Sequence, residues 1–342
     1  MDIGILPEFR NPTQWAIPIE EVYREGIEKA VLAERLGFDH FWTSEHHFAV
    51  DSWSPSLLTI LAAAAARTTR IRLGTFIIIL PFHQPWRVAE DAASVDLISG
   101  GRLDLGVGPG WDLNEFESLG IPLKQRRPRM HEGLEALRRL FTEERVTLDG
   151  KYYQFSNMTL TPKPLQKPHP PLWVAAVGEQ ATRQAAHLGY NLMGAGSEYG
   201  QKIYDEALRE AGRNPEDYKI AQLRIAYVAK TRRQAWDEAE PHVHYGLNYF
   251  YTRFKAMADR FTQQSTLPEV PPVGRLRDTP GLSFFGARVT VGTPDEVTEE
   301  ILRYKKNTRI THMVLMELPG IAAAKNNRNL ELFAKEVMPH IR

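Results

Sequence analysis

A chain of 342 residues could hold two average domains, yet one large domain with insertions reaches the same size, so pattern has to decide. Its composition, 43% hydrophobic and 25% charged, supplies a large core and excludes a disordered chain. The 42 Lys and Arg balance 42 Asp and Glu, which removes any general electrostatic pull toward nucleic acid or an anionic membrane; the lack of cysteine removes disulfide scaffolds, thiolate zinc sites and cysteine nucleophiles. The opening Met1-Asp2-Ile3-Gly4-Ile5-Leu6-Pro7 reads as a strand without a basic leader, and no apolar run reaches the length of a membrane span. The expectation is a cytoplasmic protein whose partner is a small molecule.

In chain order, the first half repeats one unit: a short apolar run, a polar or Gly/Pro-rich turn, then a segment of helical periodicity. Residues 3–6 predict a strand and 19–36 a helix ended by Gly37. Residues 38–43 predict a second strand, and Ser54-Pro55 the capped start of a second helix. The third strand, 71–80, contains the unbroken run Thr75-Phe76-Ile77-Ile78-Ile79-Leu80, which suits a strand covered on both faces, as parallel strands are. A helix over 86–98 and a fourth strand over 102–108 follow.

The rhythm then loosens into a long loop at 112–127, a helix at 130–141 and a hairpin over 146–153 with an Asp149-Gly150 turn. Strands at 172–177, 191–193 and 220–229 restore the alternation, with helices at 179–188 and 204–211. Residues 232–261 read as helix, and 262–285 as a Pro/Gly-rich loop too long for an ordinary connection. Thr293-Pro294-Asp295-Glu296 is a capping box opening a helix, 312–316 is an eighth strand, and 330–338 closes the chain as helix. Eight strands each followed by a helix predict an α/β fold, a (β/α)8 TIM barrel forming a single domain over 1–342, with insertions after strands 4 and 7.

Barrel enzymes carry their chemistry on the loops that follow the strands. Glu45-His46-His47 follows strand 2; a histidine there can serve as general base with Glu45 orienting it, and the same pair also suits surface or supporting groups. Gly106-Val107-Gly108-Pro109-Gly110-Trp111 follows strand 4 and offers either a wall that a flat ligand approaches closely or a tight barrel turn. It does not fit the dinucleotide fingerprint, because no helix opens at the glycines. Val177-Gly178-Glu179-Gln180-Ala181-Thr182 opens a helix whose unpaired N–H groups suit a phosphate, as any helix start does. No metal site is expected: His-Glu-x-x-His is absent, and His242 and His244 diverge by roughly 200° on a helix. Trp53, Trp111, Phe9 and Phe48 are candidates for an apolar pocket, and the alanine run 62–66 suits close helix contact within the barrel or across a dimer.

Four segments, in order along almost the whole chain, resemble the bacterial luciferase-like flavin monooxygenases: Asp39-His40-Phe41-Trp42-Thr43-Ser44-Glu45-His46-His47-Phe48, Leu73-Gly74-Thr75 with Leu80-Pro81, Gly101-Arg102-Leu103-Asp104-Leu105-Gly106-Val107-Gly108, and Val291-Gly292-Thr293-Pro294-Asp295-Glu296-Val297. The resemblance implies a homodimeric monooxygenase that takes reduced FMN from a separate NAD(P)H-dependent flavin reductase, reacts it with molecular oxygen to a peroxyflavin, and oxygenates a small organic substrate. His46 matches the family's catalytic histidine. Glu45, Thr75, Gly108, Gly110 and Met193 are expected cofactor contacts. Phe76-Ile77 falls where the family often has a non-prolyl cis peptide beneath the flavin ring. Ala176, Val177, Gly178, Glu179 and Thr182 match the phosphate turn.

Two positions depart from the pattern. Pro109 stands where luciferase has a phosphate-binding arginine, so the phosphate needs backbone amides or another cation, and Gln84 replaces a common histidine, with His83 adjacent. The 262–285 loop corresponds to a lid expected to close over bound flavin. Three other readings remain: a deazaflavin-dependent hydride-transfer enzyme on the same barrel, a flavin-binding protein without turnover, and a metallohydrolase barrel.

Overall fold

A computed structural model describes residues 1–194, 198–262, 269–279, 281–284 and 286–342, apart from the side chains of 259–262. Eight parallel strands form the barrel: β1 (Asp2–Leu6), β2 (His40–Thr43), β3 (Arg72–Thr75, resuming at Ile78–Ile79), β4 (Leu103–Gly108), β5 (Leu172–Ala175), β6 (Asn191–Met193), β7 (Ile220–Arg224) and β8 (His312–Met316). The hydrogen-bonded order β3-β2-β1-β8-β7-β6-β5-β4 closes on itself where Leu73 and Gly74 of β3 pair with Leu103 and Asp104 of β4. No edge is left, and both faces of the strands are buried, which is why the runs are continuously apolar.

The flanking helices obey their local signals. Ile19–Leu36 ends at Gly37, whose φ of 84° lets its N–H reach the carbonyls of Ala33 and Glu34. Pro294–Asn307 starts with Thr293 and Glu296 capping each other. The barrel interior is packed, not hollow. Trp42 and Trp173 meet edge to face with ring centroids 5.8 Å apart, beside Leu6, Met193 and Val314. Gly74 is glycine because a Cβ there would lie 2.1 Å from the Trp42 ring.

Several elements differ from the sequence expectation, each for a local reason. Ser54-Pro55 does not start a helix: the helix is Leu57–Arg67, because the Ser54 carbonyl accepts the His46 N–H and holds the segment against the barrel mouth. Segment 112–127 is not a plain loop. Asp112 caps the helix Leu113–Ser118 by accepting the Asn114 N–H at 3.0 Å, and the next helix begins at Arg126 and runs to Thr142. The hairpin pairs Val146–Asp149 with Gln154–Met158 around a longer turn than Asp149-Gly150, since the Glu132 carboxylate collects the N–H groups of Lys151, Tyr152 and Tyr153. Strand β7 ends at Arg224; Ala226–Val228 leaves the barrel to pair in parallel with Thr290–Gly292.

The insertions do follow β4 and β7. The second carries the helix Arg232–Thr262, which packs Trp236 and Phe250 against Trp53 and Tyr227 above the mouth. Of the expected lid, residues 263–268, 280 and 285 lie outside the described ones. Its described part is tied to that helix, where the Glu240 carboxylate accepts the N–H groups of Gly274 and Leu276. Among the described residues no helix is long and apolar enough to cross a membrane.

Candidate active site

A cavity of about 620 Å³ opens at the C-terminal ends of the strands, where barrel chemistry is placed. Within its wall β3 breaks between Thr75 and Ile78, and the Phe76–Ile77 peptide at the break is cis. The Phe76 and Ile77 side chains form part of its apolar wall.

His46 lines this cavity, 7% exposed, with its ring centroid 4.0 Å from that of Trp53. Its Nδ1 is 3.0 Å from Oε1 of Glu115, a buried residue on the helix Leu113–Ser118, and the same oxygen accepts the His47 N–H at 2.7 Å. Glu115 therefore fixes the ring and directs the other nitrogen, Nε2, to act on a ligand. The helix is itself held from above by the Asp112–Arg253 ion pair.

Glu45 is a structural hub beside it. Its Oε1 lies 2.6 Å from Nε2 of both His47 and His83, and its Oε2 accepts the Ile79 N–H at 2.7 Å. Burial pushes the Glu45 carboxyl up, yet the two histidines outweigh this and bring it down to about 2. Burial likewise lowers His47, but Glu45 leaves it raised. Glu45, His47 and His83 form one donor set whose atoms lie within 4.8 Å of one another, and His46, Asp112 and Glu115 form another.

The same cavity carries the positive charge that Pro109 cannot supply. Arg126 and Arg127, at the start of the helix Arg126–Thr142, line the cavity and have no hydrogen-bond or ion-pair partner among the described residues. Burial and then Arg127 lower the Arg126 guanidinium. The Nδ1 of His131, one turn on, is buried without a hydrogen-bond partner among the described residues. Gln180 and Ala181, from the first turn of the helix Glu179–Leu188, line the cavity too, so two arginines and a helix N-terminus border one space.

The cavity brings together Glu45, His46, Phe76, Ile77, Gly110, Ala176, Val177 and Met193 from the sequence reading, with Trp53 and Trp111. It does not include Thr75, Gly108, Gly178, Glu179 or Thr182. The Thr75 hydroxyl is taken by the Gly106 N–H and carbonyl, and Gly108 makes room for Ile77, whose Cδ1 would lie 2.6 Å from a Cβ there. Gly178 serves as the helix N-cap at φ 87°, Glu179 turns outward to Arg183, and the Thr182 N–H is spent on the Gly178 carbonyl. Phe9 packs instead into the space left by Gly26, and Phe48 is 62% exposed. Sequence reasoning missed Glu115, Arg126 and Arg127. A buried acid in Asp112-Leu113-Asn114-Glu115-Phe116 and adjacent arginines opening a helix were the available signals.

The sequence profile of a family described as luciferase-like monooxygenase matches residues 1–312. The chain belongs to the luciferase-like monooxygenase family. It is 33% identical to the oxygenase component of a flavin-dependent trigonelline monooxygenase from Acinetobacter baylyi, over 69% of this chain and 67% of that one. It is 31% identical to an F420-dependent glucose-6-phosphate dehydrogenase from Beutenbergia cavernae, over 93% and 94%. Among solved structures it is similar to the monooxygenase RslO1 from Streptomyces bottropensis, with a TM-score of 0.85 and 28% identity over the full length of both chains. Luciferase-like relatives thus divide between flavin-dependent oxygenation and F420-dependent oxidoreduction, and this division replaces the metallohydrolase reading.

Proposed function

We propose that this chain is the oxygenase component of a two-component monooxygenase, working as one barrel unit that takes reduced FMN from a separate NAD(P)H-dependent flavin reductase and oxygenates a small organic substrate. One observation carries the reading: a single cavity joins an unpaired arginine pair to a carboxyl-oriented histidine across an apolar wall. Those parts match the phosphate end, the ring and the reacting end of a flavin mononucleotide. Arg126, Arg127 and the amides opening the helix Glu179–Leu188 would hold the phosphate. Phe76, Ile77, Ala176 and Met193 would supply an apolar surface for the ring.

When bound, reduced FMN supplies the two electrons that split dioxygen, one atom entering the substrate and the other leaving as water. The protein's own contribution is position, exclusion of water and one mobile proton. Glu115, accepting from the Nδ1–H of His46, keeps the ring in the orientation and tautomer that leave Nε2 free to take up and return that proton. Trp53 and Trp111 shield His46 from solvent.

The experiment is oxygen uptake by the purified chain supplied with FMN, NADH and a flavin reductase, run beside reduced F420 under the same conditions. The proposal expects FMN-dependent uptake coupled to oxygenation of an added organic compound. The similarity to an F420-dependent dehydrogenase over 93% of the chain favours a second reading, hydride transfer on the same barrel. Oxidation of reduced F420 without oxygen consumption would establish it instead.

A further inference from the structure

The cavity contains one acid that neither the histidine pair nor the arginine pair uses. Glu8, just beyond β1, lines the cavity at 3% exposure. Its sole side-chain hydrogen bond among the described residues comes from Nη1 of Arg10 to Oε2, at 3.3 Å, which leaves Oε1 without a partner. Arg10 is committed elsewhere. Its Nε and Nη2 both lie 2.7 Å from Oδ2 of Asp51, which also accepts the Tyr245 hydroxyl, and its guanidinium is sandwiched between the rings of Trp53 at 4.1 Å and Tyr249 at 4.4 Å.

Two carboxyls thus compete for one buried guanidinium, and Asp51 has it. A second buried carboxylate with one long hydrogen bond is costly, and the cheaper state keeps its proton. Besides Arg10, the charges that act on Glu8 are Asp51, already paired with Arg10, and Glu317, paired with Lys29; the other ionisable side chains lining the cavity are Glu45, His46, His131, Arg126 and Arg127. Neither Asp51 nor Glu317 brings Glu8 a cation.

We propose that Glu8 is the substrate-specificity residue of this cavity: it presents a protonated carboxyl whose O–H is donated to the carbonyl oxygen of an uncharged ketone- or aldehyde-class substrate. The inference rests on reading the cavity as a joint flavin and substrate crevice, and it adds the class of substrate. Burial, only partly offset by Arg10, pushes the Glu8 carboxyl up to about 8, so it remains a donor at neutral pH and becomes an acceptor in alkali. An acceptor meeting a carbonyl oxygen repels it, so discrimination comes from the same group that attracts.

The test uses the full chain and two probes of nearly the same shape, acetophenone and ethylbenzene, with binding followed by quenching of tryptophan fluorescence at Trp53 and Trp111. The neutral fraction of Glu8 falls about 30-fold between pH 6.5 and 9.5, so acetophenone affinity is expected to fall by about tenfold or more while ethylbenzene affinity stays level. Glu8→Gln keeps an N–H donor that does not titrate: it should bind acetophenone with no pH dependence, and Glu8→Leu should bind both probes alike. The assignment is overturned by equal pH profiles for wild type and Glu8→Gln, by equal behaviour of the two probes in wild type, or by preferential binding of 1-methylpyridinium, which needs an ionised acid. FMN binding measured separately by flavin fluorescence tells the two readings apart. A wild-type chain that shows the ketone profile without binding FMN supports the role of Glu8 and refutes the flavin.

Discussion

Histidines stand at both ends of the barrel, and the two ends treat them oppositely. At the floor, His40 and His312 are buried with ring centroids 4.8 Å apart, against Trp42 and Trp173. Burial, reinforced by nearby positive charge, brings His40 down to about 3 and His312 to about 2, so both are neutral and act as packing. At the mouth, His46, His47 and His83 each have a carboxyl oxygen within 3.0 Å. There each ring is held in one orientation by that carboxyl group. His40 and His46 are similarly buried, but the floor carboxylates stand farther off, Asp104 3.6 Å from His40 and Asp2 3.3 Å from His312, and neither makes a hydrogen bond to the ring.

The largest expected effect tests the mouth. His46→Ala should lower FMN-dependent substrate oxygenation by about 100-fold or more, a typical contribution of a positioned proton-transfer group, with flavin binding retained. Unchanged turnover would remove the histidine from the chemistry, and absence of turnover in the wild type as well would favour the flavin-binding protein without catalysis. Glu115→Gln should fall between wild type and His46→Ala and shift the pH profile.

Next comes the arginine pair of the cavity. Arg126→Ala and Arg127→Ala should each weaken FMN binding about tenfold, the loss of one charge-assisted hydrogen bond of roughly 1.5 kcal/mol, and the pair should be nearly additive by flavin fluorescence titration. Riboflavin, which lacks the phosphate, should be indifferent to both changes.

A smaller effect sharpens the contrast through stability. Glu45→Ala should cost about 2 to 3 kcal/mol in urea unfolding, because it strips two histidines and the Ile79 N–H of their acceptor. The sign with pH follows from the shifts. The lowered pKa of Glu45 stabilises the fold above pH 4.5 and is lost as pH falls toward about 2, while the raised pKa of His47 stabilises it below 6.5 and is lost as pH rises beyond. The cost should therefore peak between about pH 5 and 6.5.

The last contrast concerns the floor and shows only on acidification. His40 is depressed, so the unfolded chain takes up a proton that the folded one refuses, and stability declines on acidification from 6.5 toward about 3. His40→Leu should flatten that decline, and an unchanged slope would mean that the floor histidines are not held neutral.

Much of the barrel could be read from local pattern. The Thr293–Glu296 box and the stop at Gly37 are each stated within a few neighbouring residues, whereas the apolar run 75–80, which read as one unbroken strand, gave no sign of the break that turns Phe76 and Ile77 to the cavity. The site was half legible. His46 announces itself after a strand, whereas its partner Glu115 lies 69 positions away on a six-residue helix too short to show periodicity. Arg126 and Arg127 looked like one end of an irregular stretch because Pro128 suggested a break. Proline is tolerated in a first helical turn, where its missing N–H has no partner to lose. Glu8 and Arg10 were unreadable as a unit, since Asp51, which claims the guanidinium, comes from another loop.

The Thr75 hydroxyl bridges both backbone groups of Gly106, accepting at 2.8 Å and donating at 2.7 Å. At that level the cylinder is stitched by a side chain where a peptide rung would ordinarily be, so one joint in the ring depends on a single removable oxygen. Valine there would keep the shape and cut the stitch, and the loosened seam would lie directly under the bend that opens the crevice.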